Sequence, residues 1–176
     1  MIDAARQGSA AAFTELVSGY RERLLRFLLT RTPSFADAED VLQDTLINAY
    51  RYLNSYDSRW RFSTWLFRIA INNANRVRRL DGADVDRLSD EESDPLSLCI
   101  AVSDRENLWQ TARRLLADEV YSAMWLRYVE DMSVKDISAV LERSVSWTKV
   151  NLMRGRQTLE NELSDVATDQ ESKAYG

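Results

Sequence analysis

Six arginines and no acid lie between Arg59 and Arg79, in the stretch RWRFSTWLFRIAINNANRVRR. Trp60, Phe62, Trp65 and Phe67 are threaded through it. Guanidinium groups at this density favour a polyanion, because each cation that reaches a phosphate releases counterions. Aromatic rings among them suit unpaired bases, which stack on such rings with about 1–3 kcal/mol per base. Asn72, Asn73 and Asn75 add amides that can bond to exposed base edges. The competing account makes Trp65, Phe67 and Ile69 core and the arginines a solvated face. It covers Trp65 and Leu66 well, but not Trp60, Arg61 and Phe62, which sit in a loop before the helix.

A second constellation lies at MSVKDISAVLERSVSWTKVNLMRGRQTL, Met132–Leu159. Ser133 can cap a short helix with an inner face of Val134, Ile137, Val140 and Leu141. Residues 142–144 make a turn, and Ser144 can cap a second helix. There Val145, Thr148 and Leu152 are expected inside, with Trp147, Lys149, Asn151 and Arg154 outside. This is the helix-turn-helix layout, whose second helix enters the major groove. Arg and Lys donate to guanine and Asn pairs with adenine, while Arg143 or Arg156 can hold phosphates.

These two basic patches belong to an acidic chain. Its 176 residues hold 23 Lys and Arg against 28 Asp and Glu, a net charge of −5. A negative background limits indiscriminate binding to nucleic acid. There is no histidine and one cysteine, Cys99, so a His-based triad is excluded and a zinc site has few ligands. No phosphate-binding glycine loop or metal-like acid cluster is visible, so we read no enzyme and no cofactor. The N-terminus lacks a basic stretch followed by an apolar run, and no apolar run nears the roughly 20 residues that span a bilayer. A soluble cytoplasmic protein without membrane insertion is expected.

The elements that must position these residues are helical. Gly and Pro number five and two, and strand-like alternation is scarce. Phe13, Leu16, Val17, Tyr20, Leu24, Phe27 and Leu28 form one helical stripe. Pro33 breaks it, and Ser34 with Asp37 can cap the next helix. That helix buries Val41, Leu42, Thr45, Leu46, Ala49 and Leu53, while Asp37, Asp40, Asp44, Asn48 and Arg51 project elsewhere. Ser63 is expected to cap the helix of the opening stretch, and Asp118 a later one. Residues 81–106 are acidic and interrupted by Gly82 and Pro95, the composition of a linker. The expected organisation is all-α: a domain over 1–80, a linker over 81–106, a second domain over 107–163 and a disordered tail over 164–176.

With these motifs in order, the chain resembles the extracytoplasmic-function (group IV) sigma factors of bacterial RNA polymerase, in the sigma-70 family. DAEDVLQDTLINAYRYL is similar to the helix by which their domain two docks on the polymerase clamp. FSTWLFRIAINNANRVRR is similar to their −10-element segment, and 126–159 to their domain-four helix-turn-helix. The resemblance implies core-polymerase contacts at Asp37, Asp40, Gln43, Asp44, Asn48 and Arg51. It implies −10 contacts at Tyr56, Trp60, Arg61, Phe62, Asn72, Asn75, Arg76 and Arg79. It implies −35 contacts at Arg143, Ser144, Trp147, Lys149, Asn151, Arg154 and Arg156. Core polymerase (clamp and flap), promoter DNA and an anti-sigma factor, in many cases membrane-bound, are the implied partners. Departures from the family pattern are Leu116-Ala117 for Leu-Pro, Glu142 for the turn glycine, Ser146-Trp147-Thr148 for a small residue before Thr-Val, and Val150-Asn151 for a polar and basic pair.

The expected function is promoter selection for core polymerase with help in melting the −10 element. Two alternatives explain part of the chain. An autonomous helix-turn-helix regulator accounts for 132–159 but leaves 59–79 idle. An interaction protein could keep the partner surfaces and no longer read promoters.

Overall fold

The computed structural model describes residues 1–80 and 104–174, with side chains over 1–77 and 108–164. Residues 81–103 of the expected linker, with Cys99, therefore lie outside the described residues, as does the Arg79 side chain, while 104–106, expected to close the linker, are already helical. The chain divides into two compact units, Met1–Ala101 and Val102–Gly176. Every described element is helical.

The first unit is built on three long helices, α2 (Ala10–Leu29), α3 (Phe35–Arg51) and α4 (Phe62–Leu80), preceded by the short α1 (Ile2–Arg6). Ser9 caps α2 by accepting from the Ala12 amide at 3.2 Å. The α2 stripe buries Phe13, Val17, Leu24, Phe27 and Leu28 as expected, with Leu29 in addition. Ser34 accepts from the Asp37 amide at 3.1 Å, and its hydroxyl donates to Asp37 Oδ2 at 2.6 Å. The expected capping arrangement therefore forms at α3.

Phe27, Leu28, Leu42, Leu66 and Phe67 are fully enclosed among the three helices. Each such side chain contributes about 1.5–3 kcal/mol on leaving water. Helix α4 begins earlier than its sequence signal suggests. The Trp65 amide bonds to the Arg61 carbonyl, so Arg61 is the capping position and Ser63 already lies inside the first turn. Burial of Phe62 draws the helix start forward.

The second unit comprises α5 (Asp104–Leu115), α6 (Asp118–Tyr128), α7 (Val134–Leu141) and α8 (Val145–Ala174). Its centre is Tyr121, Leu126, Met132 and Ile137, all nearly inaccessible. Trp109 packs on Tyr121 and Trp125, tying α5 to α6. Gly155 allows α8 to approach α6: a Cβ there would stand 3.2 Å from Met124 and Val120 side-chain atoms. Ala117, not Asp118, is the N-cap of α6. Asp118 instead receives Arg113 at 2.5 Å. Helix α8 is one continuous element to Ala174, where a disordered tail was expected from 164; no proline or glycine interrupts it after Gly155.

Candidate promoter-DNA and polymerase surfaces

Helix α3 turns one side to α2 and α4 and leaves Asp40, Gln43, Asp44, Ile47, Tyr50 and Arg51 on the exposed side. Two expected partner-binding residues are committed internally. Asp37 serves the α3 cap. Asn48 donates to Asn73 Oδ1 at 3.2 Å. Sequence reasoning passed over Ile47 and Tyr50, which are 48% and 40% exposed. Their signal was present: both are apolar residues outside the buried stripe. With Phe13, Val17, Arg21 and Arg51 they line a groove of about 530 Å³ between α2 and α3.

The loop before α4 is tightly organised. Asp57 accepts from the Arg59 amide at 2.9 Å and from its Nε at 2.7 Å. The side-chain bond from Arg59, then the backbone bond, holds the Asp57 carboxyl below its ordinary range. The Tyr56 hydroxyl donates to the Trp60 carbonyl at 2.7 Å. The Tyr56 ring meets Phe62 and Trp65 at 5.5 and 5.4 Å, and Tyr20 meets Phe62 at 5.6 Å. Tyr56 and Phe62 are each 7% exposed. Burial pushes the Tyr56 phenol up. Both residues were expected to contact DNA; their rings instead form an aromatic floor shared with α2 and α4. The loop offers half-buried Trp60 and exposed Arg61 above that floor.

Along α4 the amides divide. Asn72 is exposed. Asn73 is buried and donates to Thr45 Oγ1 at 3.3 Å, so it joins α4 to α3. Asn75 accepts from Arg31 Nη2 at 3.0 Å. Arg76 donates to Asp44 Oδ2 at 3.1 Å.

In the second unit, α7 and α8 form the expected helix-turn-helix. Ser133 accepts from the Asp136 amide and Ser144 from the Trp147 amide, each at 3.1 Å. Glu142 turns the chain with φ 54° and ψ 40°, the left-handed conformation. Ser138 Oγ and Thr148 Oγ1 lie 3.0 Å apart and bridge the two helices in the interior. Thr148 and Leu152 point inward as expected, but Val145 is 45% exposed. It is the first residue of α8, and the inward arc begins at Thr148.

Lys149 and Arg154 stand exposed on α8, and Asn151 donates to the Trp147 carbonyl at 2.9 Å. Arg156 lies 3.3 Å from Glu160 one turn on. Arg143 forms a two-pronged bond with Glu119 of α6, at 3.0 Å from Nε and 2.7 Å from Nη2. That bond raises the Arg143 pKa above its ordinary value.

Residues 16–82 match the model of Sigma-70 region 2, and residues 112–159 that of Sigma-70, region 4. The ECF RNA polymerase sigma-E factor of Haemophilus influenzae is 30% identical over 94% of this chain and 95% of its own. The chain belongs to the ECF sigma factors of the sigma-70 family. ECF sigma factors direct RNA polymerase to promoters, and this chain is one of them. The sigma-E factor of Escherichia coli K12 is 28% identical over 94% of both chains. Among solved structures, CnrH in complex with the cytosolic domain of CnrY superposes with a TM-score of 0.66 at 23% identity, covering 93% of this chain and 95% of that one. RpoE in complex with the anti-sigma factor NepR from Bartonella quintana gives 0.65 at 20%, covering 87% and 97%. At these identities the superpositions speak for the fold.

Proposed function

We propose that this sigma factor works through three surfaces. The exposed side of α3, centred on Asp40, Gln43 and Asp44 and extended by Ile47 and Tyr50, docks on the core-polymerase clamp. Trp60 and Arg61, with Asn72, Arg76 and Arg79 on α4, engage the unpaired −10 strand above the floor of Tyr56 and Phe62. The first turns of α8 enter the −35 major groove with Trp147, Lys149, Asn151 and Arg154, while Ser144 caps that helix, Arg143 and Arg156 face the phosphates, and this domain meets the flap.

The first domain is 1–80, and the second begins with α5 at Asp104 and ends with α8. The factor binds, positions and melts; it catalyses nothing itself and acts in the cytoplasm. Among the described residues, no helix is long and apolar enough to cross a membrane. Control by an anti-sigma factor is supported by the similar fold of RpoE, solved with NepR.

The single observation that carries this reading is the separation of labour. The first unit presents an aromatic and cationic loop, and the second a capped helix-turn-helix. A single-stranded contact and a duplex contact in separate units suit DNA opening at a chosen place. The test is capture of core RNA polymerase by the purified protein, wild type beside Asp40→Arg/Gln43→Arg, followed by run-off transcription. Binding by the wild type and its loss in the variant supports the α3 surface. Capture by neither overturns the reading.

A further inference from the structure

Arg143 sits in the turn between α7 and α8, and two side chains from different helices hold it. Glu119, 24 residues earlier on α6, receives Nε at 3.0 Å and Nη2 at 2.7 and 2.8 Å. On its other side, Arg143 Cζ lies 5.6 Å from the centre of the Trp147 ring. Carboxylate, guanidinium and indole therefore form one chain of contacts at the start of α8, an ion pair followed by a cation–π contact. Both charged side chains are about half exposed, at 46% and 48%, so their pairing adds little to stability. A forked Arg–carboxylate bond does fix orientation, because it holds the guanidinium plane at two points.

Trp147 is the third residue of α8, in the turn whose side chains meet base edges when such a helix enters the major groove. An indole has one donor and no acceptor. It cannot make the two-point contacts that read guanine or adenine. The one apolar feature the major groove offers is the C5-methyl group of thymine. A ring already held by a cation–π contact with a guanidinium also loses less freedom on contact than a free one.

We propose that Glu119 is a positioning residue for −35 recognition: through Arg143 it holds the Trp147 ring against the methyl group of one thymine. This inference rests on the reading of α8 as the −35 helix. It accounts together for Glu119, Arg143 and Trp147.

The experiment uses full-length protein assembled with core RNA polymerase. Holoenzyme is mixed with duplex DNA randomised over the −35 and −10 regions, and the retained DNA is sequenced. The enriched thymines are then replaced one at a time by deoxyuridine, which lacks only the methyl group. For the wild type, one −35 replacement is expected to weaken binding about fourfold, the worth of one buried methyl. Glu119→Gln and Arg143→Lys are expected to remove that methyl preference while leaving the urea midpoint unchanged. Trp147→Ala is expected to remove it too, and Glu119→Gln is then expected to add nothing. Retained methyl preference in Glu119→Gln overturns the proposal. So does an equal effect of Glu119→Gln in the Trp147→Ala background. Should wild-type holoenzyme enrich no −35 sequence at all, the reading of α8 itself fails and the proposal with it; in the first two outcomes the enrichment persists.

Discussion

Arg76 of α4 donates to Asp44 of α3 across 3.1 Å, so a cation of the proposed −10 surface and an acid of the proposed polymerase surface share one bond. Both are more than half exposed. The bond is weak in stability, and Asp44→Asn or Arg76→Gln is expected to change urea stability by less than about 1 kcal/mol. Its consequence is functional. Asp44→Arg is expected to impair both polymerase capture and promoter opening, because it repels Arg76. Asp40→Arg is expected to impair capture alone. Promoter opening measured with holoenzyme at saturating factor separates the two.

The aromatic loop divides into floor and contact. Phe62→Ala removes a ring packed against Tyr20, Tyr56 and Trp65 and is expected to cost about 3–5 kcal/mol by urea denaturation. Tyr56→Phe deletes only the bond to the Trp60 carbonyl, at about 1 kcal/mol. Trp60→Ala is expected to leave the fold intact and weaken holoenzyme binding to single-stranded −10 DNA by about 1–3 kcal/mol. Equal losses of stability for Trp60→Ala and Phe62→Ala would contradict this division.

The same loop is acid-sensitive in a stated direction. The Asp57 carboxyl titrates below its ordinary 3.8 because Arg59 bonds to the ionised form. Its contribution is therefore complete above the unfolded value and fades as pH falls through the lower folded one. The Trp60 indole resonance is expected to shift in NMR spectra taken below pH 3.8. Asp57→Asn is expected to show the altered position at every pH.

Glu142 holds a backbone conformation that L side chains adopt at a cost of about 1–2 kcal/mol. Glu142→Gly relieves that cost and adds freedom to the unfolded chain, so a net gain of about 1 kcal/mol in unfolding free energy is expected. The −35 preference is expected to stay as it is, since the α8 cap at Ser144 is untouched.

Legibility followed the range of the interaction. The caps at Ser34, Ser133 and Ser144 were readable because each hydroxyl meets an amide three residues on. The break at Pro33 and the turn at 142–144 are local in the same way. Helix α4 was harder. Its Trp65, Phe67, Ile69 and Ile71 surround the axis, so the pattern does not say which side meets α2 and α3. That choice buried Asn73 and left Asn72 exposed, although the two are neighbours with the same side chain.

What the sequence determined by itself was the helical class, the two blocks of helix, and the pairing of an aromatic–cationic segment with a helix-turn-helix. These follow from residue spacing and charge, which are properties of the chain before it folds. Tertiary structure decided which of those residues remain available. Phe62 became part of a floor because Tyr20 arrives from α2, and Tyr56 because Trp65 of α4 reaches back to it. Arg76 met Asp44 across 32 positions, and Arg143 met Glu119 across 24. A charge's partner at such separations depends on how helices pack, because side chains reach only a few ångströms and packing chooses the neighbour.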